Sequence, residues 1–276
     1  MKQLIYKLAI VFIIGLSLKT YAQDNFSIPR DTSNYSKIRI ELSEINKEIK
    51  KDSSNCFLYF SRNLLYFELL QLQQAKNDLS KAISLCPNDT ITYFYFYQRG
   101  SLNDKLNLTQ EAFNDFSKSI ELKPDFEGGY LDRGTLLTNS GYFKEGRMDL
   151  HKALALKPNW ADAYFILGTN YDFSGEKDSA LVYYEKSIDY KSDKDQFTHK
   201  TYNNIGAIYN QTGKFKEAIA MFDKALEIEE NYTFALTNRA ESKYHLGDKV
   251  AACKDLKQAI GLGRTNLTDT YRNFCN

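Results

Sequence analysis

The stretch AYFILGTNYDFSGEKDSA, residues 163–180, contains the features that decide the fold. Apolar and aromatic residues recur here at three- and four-residue steps, which is the pattern of one face of a helix. Gly175 can adopt the left-handed conformation that ends such a helix, and a second helix is predicted to follow it. Gly168 and Ala180 are small residues among large ones. We therefore expect them at the point where the two helices cross, because a larger side chain there would push the helices apart.

The same small residues recur along the chain with a fixed period. Gly100, Gly134 and Gly168 lie 34 residues apart, and so do Gly206 and Ala240. Each is followed by another small residue twelve positions later and by a large apolar residue sixteen positions later. Self-similarity at this period is typical of stacked units of two helices each.

This spacing resembles the tetratricopeptide repeat, and the resemblance covers about 56–266. It implies an all-α fold, a right-handed α-solenoid of six tandem helix-turn-helix units with N- and C-terminal capping helices. The first unit departs most from the family pattern, because Asn63 and Leu70 stand where glycine is usual. The predicted units are 56–89, 93–126, 127–160, 161–194, 199–232 and 233–266.

The two ends of the chain have different patterns. Residues 1–22 combine an early lysine pair, an eleven-residue apolar run and a small-residue cleavage site, which is typical of a secretory signal peptide. An uncleaved N-terminal anchor is the alternative, although the apolar run is shorter than the ~20 residues that span a bilayer. We expect a mobile lead-in over 23–36 and a half-repeat capping helix over 37–55. Residues 267–276 are expected to complete the C-terminal capping helix.

Charge and motifs exclude several classes of function. Of the 36 Lys and Arg residues, three lie in the predicted signal peptide, so 33 basic residues face 35 acidic ones in the remaining chain. Nucleic-acid binding requires a clustered basic surface, and this balance gives no sign of one. His151, His199 and His245 lie in three different units without a ligand partner at helical spacing. With no phosphate-binding or nucleophile motif, we expect no catalytic residue, no cofactor, no metal and no enzymatic activity.

The four cysteines allow three disulfide connectivities. Cys56 and Cys86 are equidistant from the predicted turn of the first unit, and Cys253 and Cys275 from the predicted turn before the terminal helix. Antiparallel helices place such residues opposite each other, which favours the pairs Cys56–Cys86 and Cys253–Cys275. Four free thiols are the alternative. With the signal peptide, the pairs predict an exported protein, periplasmic or extracellular.

The family resemblance also implies a function. Tetratricopeptide arrays generally bind peptides or protein segments on a concave face formed by the first helix of each unit. This implies an exported, non-enzymatic scaffold with a protein or peptide partner and no membrane span in the mature chain. A structural subunit of a cell-envelope assembly, binding through its convex face or its ends, is the alternative.

The resemblance further indicates which residues line the concave face. Family members that grip a C-terminal carboxylate use lysine, arginine and asparagine on this face, and only Lys105 and Lys200 are candidates here. We therefore expect a segment bound through apolar anchors and side-chain amides. The expected peptide-binding residues are Phe60, Phe94, Tyr97, Phe165, Phe173, Asn203, Asn210, Phe234 and Asn238.

Overall fold

The computed structural model describes residues 32–191, 197–264, 267 and 275. The described residues form thirteen α-helices and no strand. The signal-peptide prediction for 1–22 lies outside the described residues, as do most of the lead-in and most of the C-terminal capping helix. The helices are α1 (Thr32–Lys51), α2 (Cys56–Glu68), α3 (Leu72–Leu85), α4 (Thr92–Lys105), α5 (Thr109–Leu122), α6 (Glu127–Asn139), α7 (Phe143–Leu156), α8 (Ala161–Phe173), α9 (Lys177–Asp189), α10 (Thr198–Gln211), α11 (Phe215–Ile228), α12 (Thr233–His245) and α13 (Lys249–Gly261).

Helices α2 to α13 form six consecutive helical hairpins, which we call units one to six. The even-numbered helices are the first helices of the units, and the odd-numbered helices from α3 onward are the second helices. Each second helix packs against the first helix of the next unit, and α1 packs against α2. Helix α1 begins at Thr32, five residues before the predicted start at residue 37. Its first residues are polar, and an apolar pattern cannot detect a helical turn of that kind.

Residues in the left-handed conformation end the first helix of every unit. In unit four, Gly175 has a φ of +86°. The amide of Glu176 donates to the carbonyl of Tyr171 at 2.9 Å and closes the helix end. Units one and two use Leu70 and Asn107 at the same place, each with a φ of 58°. The left-handed turn therefore forms even where the chain has no glycine, although this conformation costs energy for a residue with a side chain.

The close approach predicted for Gly168 is confirmed. A Cβ atom placed on Gly168 would lie 2.6 Å from Cδ1 of Tyr184, and one placed on Gly206 would lie 2.6 Å from Cε1 of Phe222. Both distances are far below van der Waals contact. The ring on the second helix therefore occupies the space that any larger residue on the first helix would need.

An arginine–aspartate pair joins the two helices of units one, two, three and six. In unit two, Nε and Nη2 of Arg99 donate to the two carboxylate oxygens of Asp115 at 2.8 and 2.6 Å. Nη1 of the same arginine donates to the hydroxyl of Ser80 in unit one at 3.1 Å. One side chain thus bonds its own unit and the preceding unit. The other three pairs are Arg62–Asp78, Arg133–Asp149 and Arg239–Asp255.

Units four and five have apolar residues at the positions of these pairs. Leu167 and Tyr183 take them in unit four, and Ile205 and Met221 take them in unit five. The Tyr183 ring stacks on Tyr171 with centroids 5.1 Å apart and planes at 4°. Ring stacking and apolar contact hold these two units where ionic hydrogen bonds hold the others.

Two disulfides lie near the ends of the stack. Cys56 at the start of α2 is bonded to Cys86 after the end of α3, with Cα atoms 6.0 Å apart. Cys253 in α13 is bonded to Cys275, and no described cysteine is free. Among the helices of the described ranges, none has the length and apolar character needed to cross a bilayer.

Candidate functional site

All nine predicted peptide-binding residues lie on first helices, but their accessibility differs. Phe173 at the end of α8 is 59% exposed, and Phe234 at the start of α12 is 53% exposed. The Arg264 guanidinium lies over the Phe234 ring, 4.3 Å from its centroid. These two rings are the predicted anchors that a ligand could cover without disturbing the core.

Three of the nine residues are buried. Phe60 has no exposed surface, and its ring packs 5.0 Å from Tyr95 and 6.1 Å from Phe94. Phe94 and Asn203 are buried as well. The neighbouring first helix covers these side chains, so in this structure they hold adjacent units together and leave no surface for a ligand.

Tyr97 and Phe165 are half-buried and belong to aromatic contacts between units. The Tyr97 ring packs edge-to-face on Phe126, with centroids 4.9 Å apart. Phe165 stacks on Phe197 at 5.0 Å. Removing either ring would disturb packing as well as any ligand contact, which makes both residues poor probes of binding.

The three asparagines of the predicted site belong to one hydrogen-bonded region of units five and six. Asn238 Nδ2 donates to Asn203 Oδ1 at 3.0 Å, and Asn210 Nδ2 donates to Glu241 Oε2 at 3.0 Å. The Ser242 hydroxyl donates to Asn210 Oδ1 at 2.9 Å. The amides therefore have fixed orientations before any ligand arrives.

A shallow pocket of about 340 Å³ opens over this region, between α10 and α12. Its aromatic wall is the Phe215 ring stacked on the His245 ring, with centroids 4.6 Å apart and planes at 11°. We call it the unit-five/six pocket. Sequence reasoning missed Glu241 and assigned no role to His245, although both follow Asn238 on one helix face, at three and seven residues. The lining residues are Ala207, Asn210, Gln211, Phe215, Asn238, Glu241 and His245.

A second polar group lies between the first helices of units two and three. Burial raises the pKa of Asp132 from 3.8 to about 6, although a hydrogen bond with the Tyr97 hydroxyl opposes that shift. The negative charge of Asp104 raises this pKa further, and the positive charge of Lys105 lowers it. Asp132 differs from the aspartates of the arginine pairs, because here a neutral phenol stands in place of a guanidinium.

No group of three or more His, Cys, Asp or Glu residues within the described ranges is arranged to hold a metal ion. What the described residues offer on this side of the stack is exposed rings, oriented amides and carboxylates. These groups bind by contact and hydrogen bonding.

Models of the tetratricopeptide repeat match three segments of the chain, 95–126, 161–194 and 199–232. The chain therefore contains tetratricopeptide repeats. The matched segments fall in units two, four and five, and the other units repeat their helical hairpin with the same register. No curated protein sequence matches the chain.

Solved structures with similar folds are other repeat proteins of low sequence identity. A tetratricopeptide repeat protein from Parabacteroides merdae ATCC 43184 is 18% identical with a TM-score of 0.67, over 88% of this chain and 93% of that one. A chain of the APC/C hetero-tetramer Cut9–Hcn1 is 13% identical with a TM-score of 0.71, and 89% of this chain spans 47% of it. YrrB, described as a TPR protein with an unusual peptide-binding site, is 20% identical with a TM-score of 0.50, over 67% and 92% of the two chains. At such identities the similarity shows the fold.

Proposed function

We propose that this tetratricopeptide repeat protein is a non-enzymatic scaffold that binds a protein or peptide segment along its first helices. The observation that carries the proposal is that exposed rings and a polar pocket share one side of the stack. Phe234, Asn238, Glu241 and His245 follow one another at steps of three and four residues along α12, which puts them on one face of that helix. Phe173 occupies in unit four the register position that His245 occupies in unit six.

The chemistry of this side suits an extended segment of protein. Exposed aromatic rings serve as apolar anchors, and a few such anchors dominate most interfaces. Oriented amides can bind the main chain of the segment between its anchored side chains. The peptide-binding site described for YrrB, a protein of similar fold, supports the same class of function.

The test uses a random decapeptide library displayed on phage and selected against the chain without residues 1–22. Affinity of a selected peptide is then measured for Phe173→Ala and for Phe234→Ala. We expect each substitution to weaken binding about tenfold or more, since anchor rings contribute ~2 kcal/mol or more. Helical content by circular dichroism should be unchanged, because both rings are exposed. Wild-type affinity in both variants would contradict the proposal.

A second candidate function, assembly into a larger cell-envelope structure through the outer side, has one observation in its favour. Met148 on α7 is 67% exposed and Val182 on α9 is 49% exposed, at the same register position of adjacent second helices. Met148→Ala and Val182→Ala are therefore the matched controls. Loss of partner binding in these variants, with Phe173→Ala and Phe234→Ala unaffected, would favour the assembly function.

We further propose that the protein is exported to the periplasm or the cell exterior. The pattern of residues 1–22 supports this, and two disulfides suit an oxidising compartment. Sequencing of the native N-terminus should begin at Gln23, and unreduced peptide mapping should link Cys56 to Cys86. Retention of residues 1–22 in a membrane fraction would contradict cleavage, and four free thiols would contradict export.

A further inference from the structure

We propose that the bound segment is basic and that one of its lysine or arginine side chains enters the unit-five/six pocket. This inference rests on the proposed function, because it names the chemistry of the segment held along the first helices. Two independent observations carry it. They are the construction of the pocket around Glu241 and the balance of charge along the inner register of all six units.

The pocket presents a carboxylate in a fixed orientation. Glu241 Oε2 accepts a hydrogen bond from Asn210, and Asn210 is itself held by the hydroxyl of Ser242. Glu241 is exposed, and its other carboxylate oxygen has no hydrogen bond among the described contacts. A cationic group in the pocket would gain a charge-assisted hydrogen bond to that oxygen. The described lining of the pocket contains no lysine or arginine that would neutralise Glu241.

The remaining walls suit a long basic side chain. The volume of about 340 Å³ has room for a lysine or arginine side chain. The stacked Phe215 and His245 rings offer a flat surface on which methylene groups or a guanidinium can pack. An aliphatic ligand side chain would donate no hydrogen bond to the second carboxylate oxygen of Glu241, which disfavours it.

The charge of the inner register has the same sign as the pocket. We define this register as the positions on each first helix equivalent to Phe234, Asn238, Glu241, Tyr244 and His245. It holds six carboxylates and two lysines; outside the register, Lys177 pairs with Asp172 and the Arg264 guanidinium lies over the Phe234 ring, so the carboxylates outnumber these four cations. The chain without 1–22 is nearly neutral overall, so the acidic excess on this side is local and favours a basic partner. The residues are Glu68, Asp104, Asp132, Asp162, Asp172, Glu241, Lys105 and Lys200.

The experiment uses the same displayed decapeptide library. We expect the selected peptides to contain several times more Lys and Arg than Asp and Glu. Glu241→Gln should weaken a selected peptide at least fivefold, and replacing the critical lysine of that peptide by norleucine should have the same effect. Combining the two changes should cause no further loss. Glu185→Gln, on the exposed side of α9, is the control and should bind as wild type.

The outcomes separate this inference from the proposed function. Neutral or acidic selected peptides whose binding depends on Phe234 would overturn the inference and leave the scaffold function standing. A basic peptide that binds Glu241→Gln at wild-type affinity would show that its basic side chain does not enter the unit-five/six pocket, which would overturn the inference. If no peptide is enriched, or if binding depends on Met148 and Val182, both proposals fall.

Discussion

Units one, two, three and six hold an arginine and an aspartate where units four and five hold two apolar side chains. The hairpins nevertheless have the same pair of helices and the same left-handed turn, and units two to six have a glycine or alanine at the crossing. Arg133 in unit three bonds Asp149 at 2.7 and 2.8 Å, and that bonding raises the pKa of Arg133. In unit four, Leu167 is buried and Tyr183 stacks on its neighbours at the matching positions.

Both members of the pair differ together in each of these two units. A buried charge without its partner costs several kcal/mol, whereas exchanging both charges for apolar residues of similar volume is often neutral. A unit with only one of the two charges would have to absorb that cost. An ion pair and a pair of uncharged side chains are therefore two ways to pack the same two positions. The arginine of each ion pair also donates to the element before its unit, which is α1 for unit one and the preceding unit for the other three.

The largest effect is expected from Arg133→Ala. This change removes the cation from Asp149, which is 7% exposed, and also removes the bond to Ser117 in unit two. We expect a loss of about 3 kcal/mol in the free energy of unfolding, because a buried carboxylate is left unpaired. Urea unfolding with hydrogen exchange of α6 and α7 measures it. Lys144→Ala on the exposed side of α7 is the control, and a loss below about 1 kcal/mol would show that the pair is not essential.

A smaller loss is expected from Gly168→Ala in the apolar unit four. Alanine is the better helix former, yet its Cβ would meet the Tyr184 ring at 2.6 Å. We expect a net loss of about 2 kcal/mol from overpacking, measured by thermal unfolding. Gly261→Ala is the matched control, because a Cβ atom placed on Gly261 would meet no atom within 4 Å. A stabilised Gly168→Ala variant would contradict the close contact.

Asp132 extends the comparison to a half-buried aspartate without an arginine. Its pKa is raised from 3.8 to about 6, so folding favours the protonated form and this contribution to stability is lost as pH rises through about 6. Tyr97, Asp104 and Lys105 are the groups that face it. The free energy of unfolding of Asp132→Asn should therefore be about 1 kcal/mol higher than that of wild type at pH 7, after allowance for partial exposure. Near pH 3 the two free energies should be equal. A difference that stays constant between these two pH values would contradict the assignment.

The smallest change is expected when both members of an ion pair are exchanged. The double variant Arg133→Leu with Asp149→Tyr gives unit three the residues that unit four carries. We expect its free energy of unfolding to lie within about 1 kcal/mol of wild type, in contrast to the single Arg133→Ala change. The same urea unfolding measures both. A double variant as unstable as the single one would show that the two kinds of unit are not interchangeable.

The sequence predicted the repeat and its helices well, because they depend on local and periodic signals. Small residues such as Gly168 must recur where two helices cross, and a left-handed residue such as Gly175 must end each first helix. These signals recur at the same places in most units, so a single sequence reveals them. The arginine pairs were visible too, as an arginine directly before the crossing residue and an aspartate sixteen positions later. Sequence reasoning missed them because it followed only the small and the apolar residues of the repeat.

The site was harder to predict, because accessibility depends on how much of each first helix the next unit covers. Phe60 and Phe234 both lie near the start of a first helix, yet the first is fully buried and the second about half exposed. The ring of the following unit, Phe94, packs against Phe60 in this structure. Phe94, which has the register position of Phe234 in its own unit, is buried too, so residue type and register alone do not decide exposure. Only the three-dimensional stack separates a core ring from an anchor.

The Cys56–Cys86 bond has a consequence for how the chain would respond to mechanical force. In a stack where each unit contacts only its neighbours, pulling on the termini unravels units one after another. The bond joins residues 30 positions apart, so the segment between them cannot extend when unit one opens. At about 3.3–3.6 Å per extended residue, roughly 100 Å of contour length stays hidden until the bond is reduced. Optical-tweezers extension curves recorded with and without a reductant would therefore differ by about that length for unit one, and the oxidised protein would act as a partly inextensible tether.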